Sequence, residues 1–167
     1  MGEFVMVLYG SCHCGAVTFS LRSATPYPYM ACYCSICRKT AGGGGFAVNI
    51  MGEADTLDVR GREAVSVYCA RRAREGDDDG PSSAQRHFCA RCGSALWVFD
   101  PRWPELVHPF ASAIDTPLAR PPERVHCMVG SAAAWVEVPA GEGHSVFDEY
   151  PVDSIEDWHR ARGLITD

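Results

Sequence analysis

The amino-acid sequence predicts a mainly β protein with one short helix near its C-terminus. Apolar and polar residues alternate with a period of two at 17–21 and 46–50, which is typical of strands with one buried face. Helix-start signals are clearest at Ser154. Seven of the nine cysteines fall into three tight groups, which indicates that bound metal supplements the hydrophobic core.

The predicted strands follow one another along most of the chain. After the two alternating stretches, shorter alternations continue the pattern at 57–59 and 65–67. The apolar run at 95–99 predicts a strand buried on both faces, because five residues are too few for a buried helix. The remaining predicted strands lie at 106–113, 125–129 and 135–138.

Helices are expected to be few. Ser154 is followed three residues later by Asp157, which resembles a capping box with Asp in place of Glu or Gln, and Gly163 is placed to end the helix that begins there. We also expect Ser35 to cap a single turn that runs through Cys37 and stops at the glycine run 42–45.

Size and composition indicate one domain that spans residues 1–167. Residues 71–84 are rich in Gly, Asp, Pro and Ser and predict a mobile loop, either a substrate lid or a plain solvated insertion. The apolar stretches fall well short of the roughly 20 residues of a membrane span, and the N-terminus does not resemble a secretory signal. We therefore expect a cytoplasmic protein without a membrane partner.

The formal net charge of −6 argues against a nucleic-acid partner, because such proteins usually carry a basic surface that meets phosphates. The basic cluster at 71–74 is followed directly by acidic residues. This balance favours a small-molecule or protein partner over a polyanion.

The grouped cysteines have the spacing of metal ligands. The groups are Cys12 with Cys14, then Cys32 with Cys34 and Cys37, then Cys89 with Cys92. Four thiolates close a structural zinc site, and three match a catalytic zinc whose fourth position stays open. The alternative is one or two structural sites that take an eighth ligand from Cys69, Cys127 or a histidine. Disulfides are less favoured in a reducing compartment.

The sequence around the cysteines resembles a known family. The matching segments are GSCHCGAV at 10–17, CYCSICRK at 32–39, HFCARCGS at 87–94, the Ala-Ile-Asp of 113–115, Trp135, and FDEYP at 147–151. They resemble the glutathione-dependent formaldehyde-activating enzymes, a family that also includes centromere protein V. The resemblance covers most of the chain.

The resemblance implies several small coiled antiparallel β-sheets around a structural zinc. It implies that Cys12 and Cys14 join Cys89 and Cys92 around that structural zinc. It assigns Cys32, Cys34 and Cys37 as the three ligands of a catalytic zinc. The implied activity is addition of the glutathione thiol to formaldehyde, with glutathione as co-substrate. Members of the family also have other roles, so the resemblance does not fix the reaction.

Three thiolates around Zn²⁺ leave a net charge of about −1, which weakens the ion as a Lewis acid and favours thiol substrates over hydrolysis. We therefore expect carbon–sulfur lyase or ligase chemistry on adducts of a small thiol with an aldehyde or another electrophilic carbon. Arg38 and Lys39 either offset the cluster's charge, meet a substrate carboxylate, or form a solvated face.

Two other functions stay open. One is a zinc-stabilised binding module without catalytic activity, whose partner is a protein. The other is a thiol redox switch through Cys34 and Cys37, which is less favoured because the sequence shows no βαβ unit around them. The oligomeric state is open, and a homo-oligomer is compatible with the sequence.

Overall fold

A computed structural model describes residues 5–71 and 80–166, and in these ranges the chain forms twelve strands and two short α-helices. The strands are β1 Met6–Ser11, β2 Thr18–Ser23, β3 Met30–Cys32, β4 Ala47–Val48, β5 Gly52–Glu53, β6 Asp58–Arg60, β7 Val65–Arg71, β8 Pro81–Cys89, β9 Ala95–Phe99, β10 Leu106–Pro109, β11 Arg124–Cys127 and β12 His144–Val146. The helices are α1 Ser35–Thr40 and α2 Ile155–Ala161. The prediction of a mainly β protein is confirmed.

The strands form three small sheets. One has the order β1-β2-β6 and the largest has the order β5-β10-β9-β8-β7, and both are antiparallel throughout. The third has the order β12-β11-β3-β4 and is mixed, because β11 pairs in parallel with both β12 and β3. Several antiparallel sheets are therefore present as predicted, with two parallel pairs added in the third.

The main hydrophobic core lies between the two antiparallel sheets. Leu8 and Phe19 from the smaller sheet pack with Leu96 and Trp97 of β9, all of them buried. The Phe19 and Trp97 rings meet edge to face, with centroids 5.2 Å apart. Cys12 and Cys89 are buried members of the same core, so this packing fixes the position of their sulfurs.

The C-terminal helix α2 forms as the sequence predicts. Ser154 accepts a hydrogen bond from the backbone N–H of Asp157, whose carboxylate accepts in return from the Ser154 N–H. Gly163 follows the helix with a φ of +63°, which favours glycine. Trp158 of α2 stacks on Tyr29 with ring centroids 3.8 Å apart, and this holds the helix against the chain entering β3.

The first helix differs from the prediction in its cap. The N-cap of α1 is Cys34, whose sulfur accepts a hydrogen bond from the backbone N–H of Cys37 at 3.3 Å. The predicted cap Ser35 is the first helical residue. A metal-ligand candidate therefore begins the helix, and the glycine run follows its end as expected.

Two other segments differ from the sequence predictions. Residues 135–138 are not a strand, and the chain leaves the strand pattern after Pro109 to form a 3-10 turn at Ala111–Ala113. Residues 81–84, which the sequence assigned to a loop, begin β8, and Arg71 ends β7. The rest of the predicted loop, 72–79, lies outside the described residues. In the described parts of the chain, no helix is long and apolar enough to cross a bilayer.

Candidate metal centres

Four cysteines from two distant loops form the first cluster. Cys12 and Cys14 follow β1, while Cys89 ends β8 and Cys92 lies in the turn after it. Their four sulfurs all lie within 4.8 Å of one another, with Cys12 to Cys14 at 3.6 Å and Cys14 to Cys89 at 3.8 Å. Tetrahedral Zn–S bonds of about 2.3 Å place sulfurs about 3.8 Å apart, so the four donors fit zinc.

Each loop of this cluster turns back on itself through a glycine. Gly15 and Gly93 have φ values of +74° and +75°, a region that side chains other than glycine rarely adopt. The Gly15 N–H donates to the Cys12 carbonyl at 3.0 Å, and the Gly93 N–H donates to the Cys89 carbonyl at 2.8 Å. These turns aim both cysteines of each pair at one point.

Neighbouring donors stabilise thiolates in this cluster. The Ser94 hydroxyl, 3.2 Å from the Cys92 sulfur, and the Ser94 backbone N–H lower the pKa of Cys92 to about 5. The Val17 N–H donates to the Cys12 sulfur at 3.2 Å. Metal ligands must be deprotonated, so these donors prepare the cluster for a cation.

The second cluster contains three cysteines around the start of α1. Cys32 ends β3, Cys34 caps α1, and Cys37 lies one turn further along that helix. Their sulfurs lie within 4.8 Å of one another. Residues three apart share a helix face, so the Cys-x-x-Cys spacing brings the last two sulfurs together, and the strand end supplies the third.

We call the sulfurs of Cys32, Cys34 and Cys37 the trio. Negative charge in the trio is held at Cys34. Hydrogen bonds from the Cys32 and Cys37 thiols lower the pKa of Cys34 to about 2, and the backbone N–H groups of Ile36 and Cys37 lower it further. The pKa of Cys37 is raised, first by its hydrogen bond to Cys32 and then by that to Cys34. Three sulfur donors of this kind suit a soft, four-coordinate cation.

The trio has three sulfurs, and the other candidate ligands do not complete it in the described parts of the chain. Cys127 is fully buried and pairs in register with Cys32 across β11 and β3, and a hydrogen bond between the two side chains is the main reason that the pKa of Cys32 is raised. Cys127 nevertheless lies outside the set of mutually close sulfurs. Cys69 lies on β7 in another sheet. The two clusters therefore offer four and three ligands, the division that the cysteine spacing predicts.

Arg86 is a charged neighbour of the trio that sequence reasoning missed. From β8 its Nη2 donates to the Cys37 sulfur at 3.7 Å, and its Nη1 donates to Thr40 Oγ1 at 3.4 Å. Strand alternation was the available sequence signal for Arg86. Arg86 lies three residues before Cys89, so alternation places its side chain on the other side of β8. Strand β8 thus places Arg86 beside the trio and Cys89 in the four-cysteine cluster.

The C-terminal segment at 147–151 also lies near the trio. The Met128 N–H donates to the Glu149 carbonyl at 3.0 Å, so residues 147–149 run beside the end of β11. The next residue, Tyr150, has an exposed ring. Desolvation raises the pKa of Tyr150, and the negative charge of the trio raises it further. The phenol therefore stays protonated.

Other residues considered in the sequence line a cavity of about 700 Å³ between the two clusters. Arg38 and Lys39 form part of one wall, and Asp115 forms part of another. Asp115 Oδ2 accepts a hydrogen bond from the Ser11 hydroxyl at 2.6 Å.

The chain is similar to known proteins over most of its length. Residues 7–131 match the family model described as glutathione-dependent formaldehyde-activating enzyme. A Halomonas elongata protein named for glutathione-dependent formaldehyde activation is 59% identical over 160 residues, which is 95% of this chain and 98% of that protein. A crystal structure of a Rhodobacter sphaeroides protein is similar with a TM-score of 0.51 and 25% identity, covering 67% of this chain and 90% of that one.

Proposed function

The chain belongs to the glutathione-dependent formaldehyde-activating enzyme family, and from this premise we propose that it is a zinc-dependent carbon–sulfur enzyme. It joins a small thiol, glutathione in the first instance, to the carbon of formaldehyde or another aldehyde, or it splits such an adduct. The observation that carries the proposal is the trio of Cys32, Cys34 and Cys37, whose sulfurs lie within 4.8 Å of one another beside a guanidinium.

We assign different roles to the two clusters. The four sulfurs of Cys12, Cys14, Cys89 and Cys92 would hold a structural zinc, since four donors close a tetrahedron and two of them belong to the main core. The trio would hold the catalytic zinc. When bound there, zinc supplies a fourth coordination position that accepts a substrate sulfur and favours its deprotonated form.

The protein's own residues would then balance charge and move a proton. Arg86 offsets the excess negative charge of the trio through its contact with Cys37. In the synthetic direction the thiol sulfur forms a bond to the aldehyde carbon, and the proton lost by the thiol ends on the former carbonyl oxygen. Tyr150, which stays protonated, is suited to donate a hydrogen bond to that oxygen. The reverse direction breaks the same carbon–sulfur bond.

The choice of glutathione and formaldehyde rests on the family and on the name of the Halomonas relative. The half-buried Arg86 and the all-sulfur trio support thiol chemistry in general and leave other electrophilic carbons as candidates. We also propose the cytoplasm as the compartment, supported by nine cysteines that are all free.

The test is a rate measurement against the spontaneous reaction. Zinc-loaded protein would be mixed with glutathione and ¹³C-formaldehyde, and exchange between free and thiol-bound carbon followed by NMR. We expect exchange faster than the uncatalysed background for wild type and background exchange for Cys34→Ser. Equal exchange with and without the wild-type protein, for glutathione and for a panel of other thiols and aldehydes, would leave the binding-module function as the better account.

A further inference from the structure

We propose that the cavity between the two cysteine clusters binds the zwitterionic α-amino-acid head of the thiol substrate, with Arg38 and Lys39 facing its carboxylate and Asp115 facing its ammonium. In glutathione this head is the γ-glutamyl end. The inference rests on the proposed function only in that the thiol belongs to the substrate, and it assigns a binding site to residues that take no part in holding metal.

The cavity has three walls of different origin. Its volume of about 700 Å³ lies within the range of roughly 300 to 1,000 Å³ that is common for small-molecule sites. One wall is the end of α1 with the residues after it, 38–43, and a second comes from the two loops of the four-cysteine cluster. The third contains Ser112, Ala113 and Asp115. A metal in the four-cysteine cluster would therefore fix the second wall of this cavity.

The first wall carries two cationic side chains without an ion pair. Arg38 is half-buried and Lys39 is exposed, and both line the cavity. No ion pair to Arg38 or Lys39 is found among residues 5–71 and 80–166, and Arg38 Nε makes no hydrogen bond. A ligand carboxylate would pair with these cationic groups, because a guanidinium binds a carboxylate with paired N–H groups.

In the same wall, the main chain is uncovered at Gly43. A side chain built on Gly43 would meet no atom within 4 Å, whereas at Gly42 it would meet the Phe46 carbonyl. Gly43 thus leaves its main chain accessible from the cavity, and Gly42 serves the tight turn after α1. A ligand can approach the chain closely at Gly43.

The opposite wall carries the opposite charge. Asp115 is held in place by its backbone N–H, which donates to the Tyr9 carbonyl at 2.8 Å, and by the Ser11 hydroxyl on Oδ2. A ligand that is only anionic would be repelled by this carboxylate. A head with both a carboxylate and an ammonium matches both walls, and an α-amino acid has this pair of charges on one carbon.

Two residues at the end of α1 connect the cavity to the surroundings of the trio. Thr40 lines the cavity and accepts from the same Arg86 guanidinium that contacts Cys37. Ala41 lines the cavity and also packs against the buried group that contains Cys32 and Cys37. In the proposed pose, a thiol one peptide link away from its amino-acid head places that head between Arg38 and Asp115 and directs its sulfur toward the trio.

A ligand without sulfur tests the cavity independently of the trio. Calorimetry would use γ-glutamyl-seryl-glycine, which is glutathione with a hydroxyl in place of its thiol, and its N-acetylated form. We expect the unmodified peptide to bind wild type, Arg38→Gln and Asp115→Asn each to raise the dissociation constant at least tenfold, and N-acetylation to weaken binding to a similar extent. Arg120→Gln, at an exposed residue outside the cavity, is the matched control.

The outcomes separate this inference from the proposed function. Wild type that does not bind the seryl peptide, or an Arg38→Gln variant that binds it as wild type does, would overturn the cavity assignment even if glutathione and formaldehyde still react. Binding that depends on Arg38 and Asp115 without any catalysed exchange would support the cavity and reject the enzyme. Zinc content and thermal unfolding of each variant show that an effect is not loss of fold.

Discussion

Arg86 Nη2 lies 3.7 Å from the sulfur of Cys37, so a strand of the large antiparallel sheet contacts the cysteine trio on the helix α1. The same strand, β8, ends at Cys89, a member of the four-cysteine cluster. The two clusters are therefore connected through one rigid element. A change at either end of β8 is expected to affect both the fold and the site, and the predictions below separate these effects.

Arg86→Gln is expected to lower kcat/KM for adduct formation roughly ten- to a hundredfold, because a charge-assisted hydrogen bond to the trio contributes about 1.5–3 kcal/mol and 1.36 kcal/mol is a factor of ten in rate. The glutamine keeps the length of a polar side chain and removes the charge. Steady-state kinetics with zinc content measured in parallel would check this. Arg120→Gln, an exposed arginine elsewhere, should behave as wild type. Unchanged kinetics in Arg86→Gln would show that the contact with Cys37 does not matter to the reaction.

Cys34→Ser and Cys89→Ser should have unequal effects. We expect Cys34→Ser to abolish activity and lose one bound zinc while most of the fold remains, because Cys34 is a half-buried helix cap outside the main core. Cys89 is fully buried in that core, so Cys89→Ser should unfold much of the protein. Metal analysis and circular dichroism would report both effects. Equal damage to the fold by the two substitutions would contradict the division into a structural and a catalytic site.

The sequence predicted the parts of this molecule that depend on local pattern. Strand alternation located β2 and β7, a continuous apolar run located β9, and cysteine spacing grouped the sulfurs as the structure does. The contact of Arg86 with Cys37 was not predicted, because the two residues are 49 positions apart and only the packing of β8 beside α1 joins them. Cys127 is beside Cys32 for the same reason, since the parallel pairing of β11 with β3 has no local signal.

The segment 135–138 was misread for a related reason. Its apolar residues suggested a strand, but Val136 packs so closely on Gly45 that a side chain there would lie 2.3 Å from Val136 Cγ2. This contact half-buries Val136, whereas Trp135 is 69% exposed, so the segment lacks the buried face of a strand. Tertiary contact decided the local conformation where the sequence pattern was short.

Tyr150→Phe is expected to lower kcat while leaving KM for the thiol nearly unchanged, since the hydroxyl is proposed to act on the carbonyl oxygen and not on the sulfur. Its raised pKa predicts that the phenol stays protonated through an assay between pH 6 and 9, so Tyr150 itself should add no loss of rate at the alkaline end. Tyr9→Phe, at an exposed tyrosine on β1, is the control. A change in KM alone would place Tyr150 in thiol binding instead.

Asp100→Asn should destabilise the fold without touching the metal sites. The buried Asp100 carboxylate, at the end of β9, accepts from Arg102 Nε and Nη2, from the Arg102 N–H and from the Ser83 hydroxyl. The Arg102 guanidinium is the main reason that the pKa of Asp100 falls from 3.8 to about 2. A carboxyl whose folded pKa is depressed stabilises the protein above its unfolded pKa, and this stability is lost as the pH falls from about 3.8 through about 2.

The contribution of Asp100 should therefore be complete and constant at neutral pH. We expect Asp100→Asn to lower the free energy of unfolding by about 1–2 kcal/mol, a range reduced for solvent screening because the Arg102 side chain is 54% exposed. Urea denaturation of zinc-loaded protein at pH 6 and pH 8 should give the same difference from wild type, and Asp58→Asn, at an exposed strand residue, should show none. A difference that grows between pH 6 and 8 would mean that another titrating group, and not the Asp100 to Arg102 pair, determines the stability at this end of β9.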